Sequence, residues 1–156
     1  MLRNILNNTD TTLYVQIWEH RIKVTNIKTL DVFDEKPLIE FSESSNGKQQ
    51  VSAFGNMANI SSLNPFSHPR VLLSDFHGGE KLLQCIIKKL LGKGIFTPST
   101  AIVMHAMEKN EGGLTVVEKR AFQELAAGAG ARAVVVYEGK ELNISTLDFN
   151  ELKNKS

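Results

Sequence analysis

The chain of 156 residues contains 42% hydrophobic and 22% charged residues, which is typical of one folded globular domain and excludes disorder as its main state. Its 18 Lys and Arg residues against 17 Asp and Glu residues leave a formal charge of +1, so nucleic acid is not an expected partner. The single cysteine excludes an internal disulfide, and no apolar run approaches the roughly 18 residues that span a membrane, so we expect a cytoplasmic protein.

The first predicted element is a short amphipathic helix at the N-terminus. Met1, Leu2, Ile5 and Leu6 recur at helical spacing before a polar break at residues 7–10. Two interpretations stay open. The segment is either a frayed terminus or a contact for a protein partner or, peripherally, for the inner membrane.

Two β-hairpins are predicted next. Residues 13–18 and 22–24 have the composition of two short strands with a tight connection. Residues 37–41 and 50–54 flank a turn-rich cluster in which Gly47 follows Asn and can adopt a positive φ. A second hairpin is therefore expected there.

A loop and then a long helix follow the hairpins. Residues 56–69 have no sustained period, which predicts a loop with one short helix near residues 57–60. From Gly79 the apolar residues recur at helical spacing, and Gly92 and Gly94 are stop signals. The helix is expected to be the most regular element of the first half.

Buried strands and a capped helix are predicted in the second half. Residues 100–107 form a nearly continuous apolar run, as in a central strand that is covered on both faces. A capping-box sequence at residues 115–118 predicts a helix over 116–127. Residues 133–137 predict a second buried strand.

The element order predicts the fold class. A last helix is expected over residues 145–153, capped by Ser145 or Thr146. Two hairpins followed by alternating helices and strands indicate an α/β protein with a mixed sheet, antiparallel in its first strands and βαβα in its second part.

Candidate chemistry is sparse. The four histidines show no spacing of a metal site, and His105 on a buried strand is expected to be a hydrogen-bonded core residue. Cys85 lies on or beside the apolar stripe of the long helix, where a reactive thiolate is disfavoured. Glu138 directly follows a predicted strand, where α/β folds place functional groups. We expect no metal and no catalytic residue.

Two motifs resemble a known family. Residues 117–122 and 127–132 are similar to V-E-R-R-A-I and Q-G-A-G-A-R, and residues 75–83 are similar to a D-F followed by E-K-M-L. On these motifs the chain resembles the N-terminal half of MreB, the rod-shape-determining bacterial actin homologue. The resemblance implies a ribonuclease-H-like, actin-like lobe over residues 1–156, with residues 37–70 as a small outer subdomain.

The first strand departs from that family. Where MreB proteins have I-D-L-G-T, this chain has Gln16 for the acidic residue, Trp18 for the glycine and Glu19 for the hydroxyl residue. A bulky ring and a fixed anion both oppose phosphate binding. The family's second lobe, which completes its nucleotide cleft, has no counterpart among the matched residues. We therefore expect Trp18 to pack against neighbouring side chains and Glu19 to face solvent or a basic residue.

These features favour a non-catalytic, MreB-like interaction or scaffold protein linked to cell shape or the cytoskeleton, without a cofactor. Its expected partner is a second copy of the chain or a full-length MreB-type protein, because a lobe without its usual neighbour leaves apolar surface uncovered. The alternative is a residual ATP-binding protein or ATPase that completes its cleft with a second subunit. Gln16, Glu19 and Glu138 would then be the nucleotide-binding candidates.

Overall fold

The structure is a computed structural model that describes residues 10–92 and 99–156. The predicted contact residues Met1, Leu2, Ile5 and Leu6 lie outside the described residues, as does Gly94. The described part contains one five-stranded sheet and one two-stranded sheet. The seven strands are β1 Thr11–Trp18, β2 Arg21–Asn26, β3 Val32–Glu35, β4 Ile39–Glu43, β5 Gln49–Phe54, β6 Thr100–Ala106 and β7 Ala133–Tyr137.

The five-stranded sheet has the order β3-β2-β1-β6-β7. β1, β2 and β3 are antiparallel neighbours, whereas β1, β6 and β7 run parallel. The predicted mixed sheet and the first hairpin are therefore confirmed. β3 was not predicted, because its four residues are too few to establish an alternating pattern.

The second hairpin is also confirmed, since β4 and β5 pair antiparallel around a turn in which Gly47 has φ 75°. A one-turn 3-10 helix, Gly55–Met57, follows β5. The short helix expected near residues 57–60 is therefore wrong in position, because Gly55 takes a left-handed φ of 67° directly after the strand and starts the turn there. The outer subdomain at residues 37–70 stays a prediction.

Three α-helices connect or follow the strands. α1, Phe76–Leu91, begins three residues before the expected Gly79, because the Asp75 carboxylate accepts a hydrogen bond of 2.7 Å from Gly78 N–H and caps the helix. It ends at Gly92, which has φ 77°. α2, Val116–Gly128, begins with the predicted capping box.

The last helix, α3, spans Phe149–Lys155, so the bounds expected for it, residues 145–153, are wrong. Its cap is Asp148 and not Ser145 or Thr146. The Ser145 hydroxyl instead donates to Asn143 Oδ1 at 2.7 Å, and the Thr146 hydroxyl donates to the Asn143 carbonyl. Both hydroxyls are thus used in a turn that precedes the helix.

The hydrophobic core lies between one face of the five-stranded sheet and the helices α1 and α2. Its members include Leu13, Val15 and Ile17 of β1 and Leu82 and Ile86 of α1. All seven residues of β6 are buried, as expected for a central strand. The burial predicted for β7 is wrong, because β7 is an edge strand in which only Val135 is buried.

None of the helices in the described ranges is long and apolar enough to cross a membrane.

Candidate functional site

The carboxyl ends of the three parallel strands lie at one edge of the five-stranded sheet. Open α/β sheets bind their ligands in this position. Three connections meet there: the turn between β1 and β2, the loop between β6 and α2, and the segment that follows β7. We call this region the strand-end site.

In the β1–β2 turn, Trp18 is held by Arg21. The guanidinium carbon of Arg21 lies 4.6 Å from the centroid of the indole ring, which is a cation–π contact. Arg21 also donates two hydrogen bonds, of 2.7 and 2.6 Å, to the Asp34 carboxylate. These bonds raise the pKa of Arg21 and lower that of Asp34. The expected packing of Trp18 is confirmed.

Every polar group of Glu19 that the structure describes has a partner within the chain. Its carboxylate lies 3.4 Å from Lys109 Nζ, so the expectation that it faces a basic residue is confirmed. Its backbone N–H donates to Glu108 Oε2 at 3.2 Å, and its carbonyl accepts from Asn64 Nδ2 at 2.7 Å. Lys109 Nζ donates in addition to the carbonyl of His68.

This arrangement is unfavourable for a phosphate group. A phosphate loop presents free backbone N–H groups to an anion. Here the N–H of Glu19 already meets the carboxylate of Glu108, and the carboxylate of Glu19 adds a second negative charge. Two cations near the turn are also paired within the chain, Lys109 with Glu19 and Arg21 with Asp34. The chain therefore supplies its own anions where a phosphate would bind.

Gln16 is 1% exposed, and its side chain binds the segment that follows β7. Its Nε2 donates to Glu141 Oε1 at 2.9 Å and lies 3.8 Å from Met107 Sδ. An amide can donate a hydrogen bond to a carboxylate, which the acidic residue of the MreB pattern could not do at neutral pH. Gln16 thus holds Glu141 over the strand ends.

His105 and Tyr14 form a buried hydrogen-bonded chain on the same face as Gln16. His105 Nε2 donates to the Gly139 carbonyl at 3.0 Å, because a carbonyl can only accept. The neutral ring then accepts at Nδ1 from the Tyr14 hydroxyl at 2.6 Å, and the same hydroxyl accepts from Leu142 N–H at 3.2 Å. Burial lowers the pKa of His105 and raises the pKa of Tyr14 to about 12. The core role expected for His105 is confirmed.

Glu138 fixes the start of α2. Its Oε1 accepts from Leu114 N–H at 2.6 Å, and its Oε2 lies 2.9 Å from Lys119 Nζ. The Leu114 bond, followed by Lys119, lowers the pKa of Glu138. The sequence-predicted candidates Gln16, Glu19 and Glu138 thus lie at one sheet edge, but within the described ranges no hydrogen bond or ion pair joins one to another.

Sequence reasoning missed the partners of these candidates. Asn64, Glu108 and Glu141 were not predicted as site residues, and they lie 45, 89 and 125 positions from the residues they bond. A pattern within one segment cannot identify contacts over such separations. The one local signal for Glu108 was its position directly after the predicted strand at residues 100–107.

Among residues 10–92 and 99–156, no three or more His, Cys, Asp or Glu residues are grouped so as to hold a metal ion. His77 stacks on Phe41, with ring centroids 6.0 Å apart, and the ring of His68 accepts from Arg70 N–H. Burial raises the pKa of the Cys85 thiol, which disfavours its thiolate.

A cavity of about 750 Å³ lies beside the β1–β2 turn. Its lining includes His20 of the turn, Asn64 and the apolar side chains of Leu38, Ile60 and Leu63. Asp75 also faces this cavity, but its carboxylate caps α1. The cavity is large enough for a small molecule, yet Lys36 is the one cationic residue other than histidine that the described lining contains.

No protein-family model matches the chain. The uncharacterized protein YjaA of Escherichia coli (strain K12) is 41% identical over 124 residues, which cover 76% of each chain. The cell shape-determining protein MreB of Pasteurella multocida (strain Pm70) is 35% identical over 82 residues, which cover 48% of this chain and 22% of that protein.

Solved structures of an MreB protein share the fold. MreB5 of Spiroplasma citri bound to ADP superposes with a TM-score of 0.58 at 15% identity, covering 83% of this chain and 38% of that one. The same protein bound to AMPPNP gives a TM-score of 0.56 at 16% identity and covers 39% of its chain. The described lobe is thus actin-like and resembles an N-terminal half of MreB, and it spans about two fifths of the MreB5 chains.

Proposed function

Since the chain belongs to the same protein family as YjaA of Escherichia coli and has an MreB-like, actin-like fold, we propose that it is a non-catalytic interaction or scaffold protein linked to cell shape or the cytoskeleton. Its partner is a second copy of the chain or a full-length MreB-type protein. We further propose that it works in the cytoplasm and that the apolar residues Met1, Leu2, Ile5 and Leu6 of the sequence make a peripheral contact with the inner membrane.

One observation carries the proposal: the backbone N–H of Glu19 is bonded to the carboxylate of Glu108. In an actin-like lobe the turn between the first two strands faces the nucleotide, as the resemblance to MreB implies. A free anion would have to displace Glu108 and approach the Glu19 carboxylate, and both steps oppose binding. The buried amide of Gln16 leaves the same strand without a metal-binding carboxylate.

Calorimetric titration of the full chain with ATP and Mg²⁺ tests the absence of nucleotide binding. We expect no heat of binding and no thermal shift at millimolar ATP. The double change Trp18→Gly, Glu19→Thr should not create hydrolysis, because Gln16 and Glu108 remain. Magnesium-dependent turnover by the wild type would contradict the proposal.

A second candidate function is that of a residual ATP-binding protein or ATPase that completes its cleft with a second subunit. The observation in its favour is that the related MreB5 structures hold ADP and AMPPNP. This function predicts ATP turnover that depends on protein concentration and is lost in Glu138→Ala. The matched control is Glu124→Ala on the exposed face of α2, which should leave any such turnover unchanged.

The link to cell shape is tested by co-purification with a full-length MreB-type protein from the same cell. We expect the two proteins to elute together at low salt in the absence of nucleotide. Separate elution in every condition would leave the actin-like fold but remove this partner.

A further inference from the structure

The cavity of about 750 Å³ beside the β1–β2 turn is formed by four separate segments of the chain. They are the turn with His20, the link from β3 to β4 with Lys36 and Leu38, the loop after the 3-10 helix with Ile60, and the residues before α1 with Asp75. Its volume lies within the range of roughly 300–1,000 Å³ that is usual for small-molecule sites. The cavity adjoins the strand-end site, but its described lining contains none of the three nucleotide-binding candidates.

Hydrogen bonds between these segments hold the walls of the cavity in place. Ile39 N–H, at the start of β4, donates to the Leu63 carbonyl at 2.9 Å. The Pro65 carbonyl accepts from Ser74 N–H at 2.7 Å and from the Ser74 hydroxyl at 2.9 Å. The side-chain amide of Asn64 donates to a carbonyl of the β1–β2 turn. Because the walls are linked in this way, a ligand would lose little binding free energy to the ordering of the protein.

Part of the lining is apolar and uncovered. Ile60 is 80% exposed and Leu63 is 36% exposed, and both side chains line the cavity. The packing of α1 fixes the position of Leu63, since a Cβ atom added to Gly78 would lie 2.6 Å from Leu63 Cδ2. An apolar group of a ligand would remove this surface from water, which favours its binding.

The polar part of the lining offers an unpaired cation. Within the described ranges the ammonium group of Lys36 has neither an ion pair nor a hydrogen bond. Asp75 is the one carboxylate of the described lining, and it accepts the Gly78 N–H at the N-terminus of α1, where the helix dipole offsets its negative charge. Lys36 is thus left to attract an anion.

We propose that this cavity binds a small amphipathic organic anion with a single acidic group. Its apolar body lies against Leu38, Ile60 and Leu63, and its acidic group lies at Lys36. One cation matches one negative charge but not the several charges of a nucleoside triphosphate. The site goes beyond the proposed interaction function and does not depend on it.

Fluorescence titration of the full chain with two naphthalene probes tests the proposal. Anilinonaphthalene sulfonate (ANS) carries one negative charge, and N-phenylnaphthylamine has a similar apolar body without the charge. We expect saturable binding of one ANS molecule per chain. The absence of saturable ANS binding would overturn the proposal.

Variants of the lining separate the ionic contact from the apolar one. Lys36→Gln should raise the dissociation constant of ANS by about threefold to fivefold, as for a partly exposed charge pair, and should leave that of the uncharged probe unchanged. Ile60→Asn should weaken the binding of both probes by about fivefold or more. Both residues are exposed, so the circular dichroism spectrum should stay that of the wild type.

Two matched controls lie outside the described lining of the cavity. Lys48→Gln removes the charge of an exposed lysine between β4 and β5, and Val116→Asn replaces an apolar residue of α2 that is 82% exposed. Neither change should alter the binding of either probe. If Lys36→Gln weakened both probes equally, the ionic contact would be refuted.

The position of the probe provides the specific readout. Addition of ANS should shift the ¹⁵N–¹H resonances of Leu38 and Leu63 with the same saturation as the fluorescence. The resonance of Leu152, which lines a different groove beside β7, should not move. Shifts confined to Leu152 and its neighbours, or ANS binding that Ile60→Asn leaves unchanged, would place the probe on another surface and overturn the proposal.

Discussion

The two faces of the five-stranded sheet are held in different ways. On the face covered by α1 and α2, the side chains of Leu13, Val15 and Ile17 pack in an apolar core. On the opposite face, Tyr14 and Gln16 use hydrogen bonds to hold the segment that follows β7. The first face stabilises the fold through buried area, and the second determines where the ends of the strands and their connections lie.

The two faces of the sheet place different demands on the sequence. An apolar face requires only side chains of suitable size and spacing, so it persists with many sequences. The polar face requires particular donors and acceptors, and here they bind residues of the chain itself. The polar face is therefore part of an internal hydrogen-bond network.

The largest expected effect is on the apolar face. Leu82 is fully buried in α1, so Leu82→Ala should reduce the free energy of unfolding by about 2–5 kcal/mol through lost burial and the cavity that remains. Urea denaturation followed by circular dichroism measures it. Val117→Ala, at a position 77% exposed, is the control and should change the stability by less than about 0.5 kcal/mol. Equal effects would contradict the assignment of the core.

A smaller loss is expected on the polar face. Tyr14→Phe removes the hydroxyl that His105 Nδ1 and Leu142 N–H share, and should cost about 1–3 kcal/mol because a buried acceptor is left without a donor. The control is Tyr137→Phe, whose hydroxyl bonds only the exposed Lys140 carbonyl in the described structure. If both variants melted at the temperature of the wild type, the buried hydrogen bonds of Tyr14 would not stabilise the fold.

A smaller effect is expected on the pH dependence of the free energy of unfolding. Burial lowers the pKa of folded His105 below its ordinary value of 6.5, although the Gly139 carbonyl and the Glu141 carboxylate oppose the shift. Between the folded and unfolded pKa values the unfolded chain binds more protons, so the free energy of unfolding should fall as the pH decreases through 6.5 and level off below the folded pKa. The Tyr14 hydroxyl that bonds the ring has a pKa raised to about 12 by burial, well above this range.

His105→Gln should flatten this dependence, whereas His20→Gln, at an exposed position, should leave it unchanged. Thermal unfolding at a series of pH values provides the measurement. A slope that survives in His105→Gln would assign the dependence to another group.

The smallest effect is expected at the β1–β2 turn. Glu19→Ala removes an ion pair with Lys109 that is partly exposed, so it should change the stability by about 0–1 kcal/mol. Denaturation against Glu124→Ala, which breaks an exposed pair on α2, measures the difference. A decrease of several kcal/mol in the free energy of unfolding would show that the ion pair between Glu19 and Lys109 is important for the stability of the fold.

The sequence predicted the apolar face better than the polar one, for a physical reason. The period of Leu82, Ile86 and their neighbours, the capping box at Thr115 and the apolar run of β6 are local patterns, and the structure confirms each. β3 was missed, because four residues give too short a period. The burial of β7 was overestimated because composition does not distinguish an edge strand from a central one.

The candidate site was predicted in part. The resemblance to MreB directed attention to Gln16, Trp18 and Glu19, and the packing of Trp18 follows from the size of its ring. The identity of Glu108 and Glu141 as partners depends on how distant segments meet at the strand ends. Only the folded topology brings them there.

The backbone amide of Glu19 reports directly on whether a nucleotide binds at the β1–β2 turn. Because Glu108 already accepts the hydrogen bond of this N–H, its ¹⁵N–¹H resonance should not move when ATP and Mg²⁺ are added to the wild-type chain. The same titration of Glu108→Ala shows whether the freed amide responds to the anion. Saturable shifts of the Glu19 and His20 amides in the wild type would show that nucleotide binds at the turn, and would contradict the account.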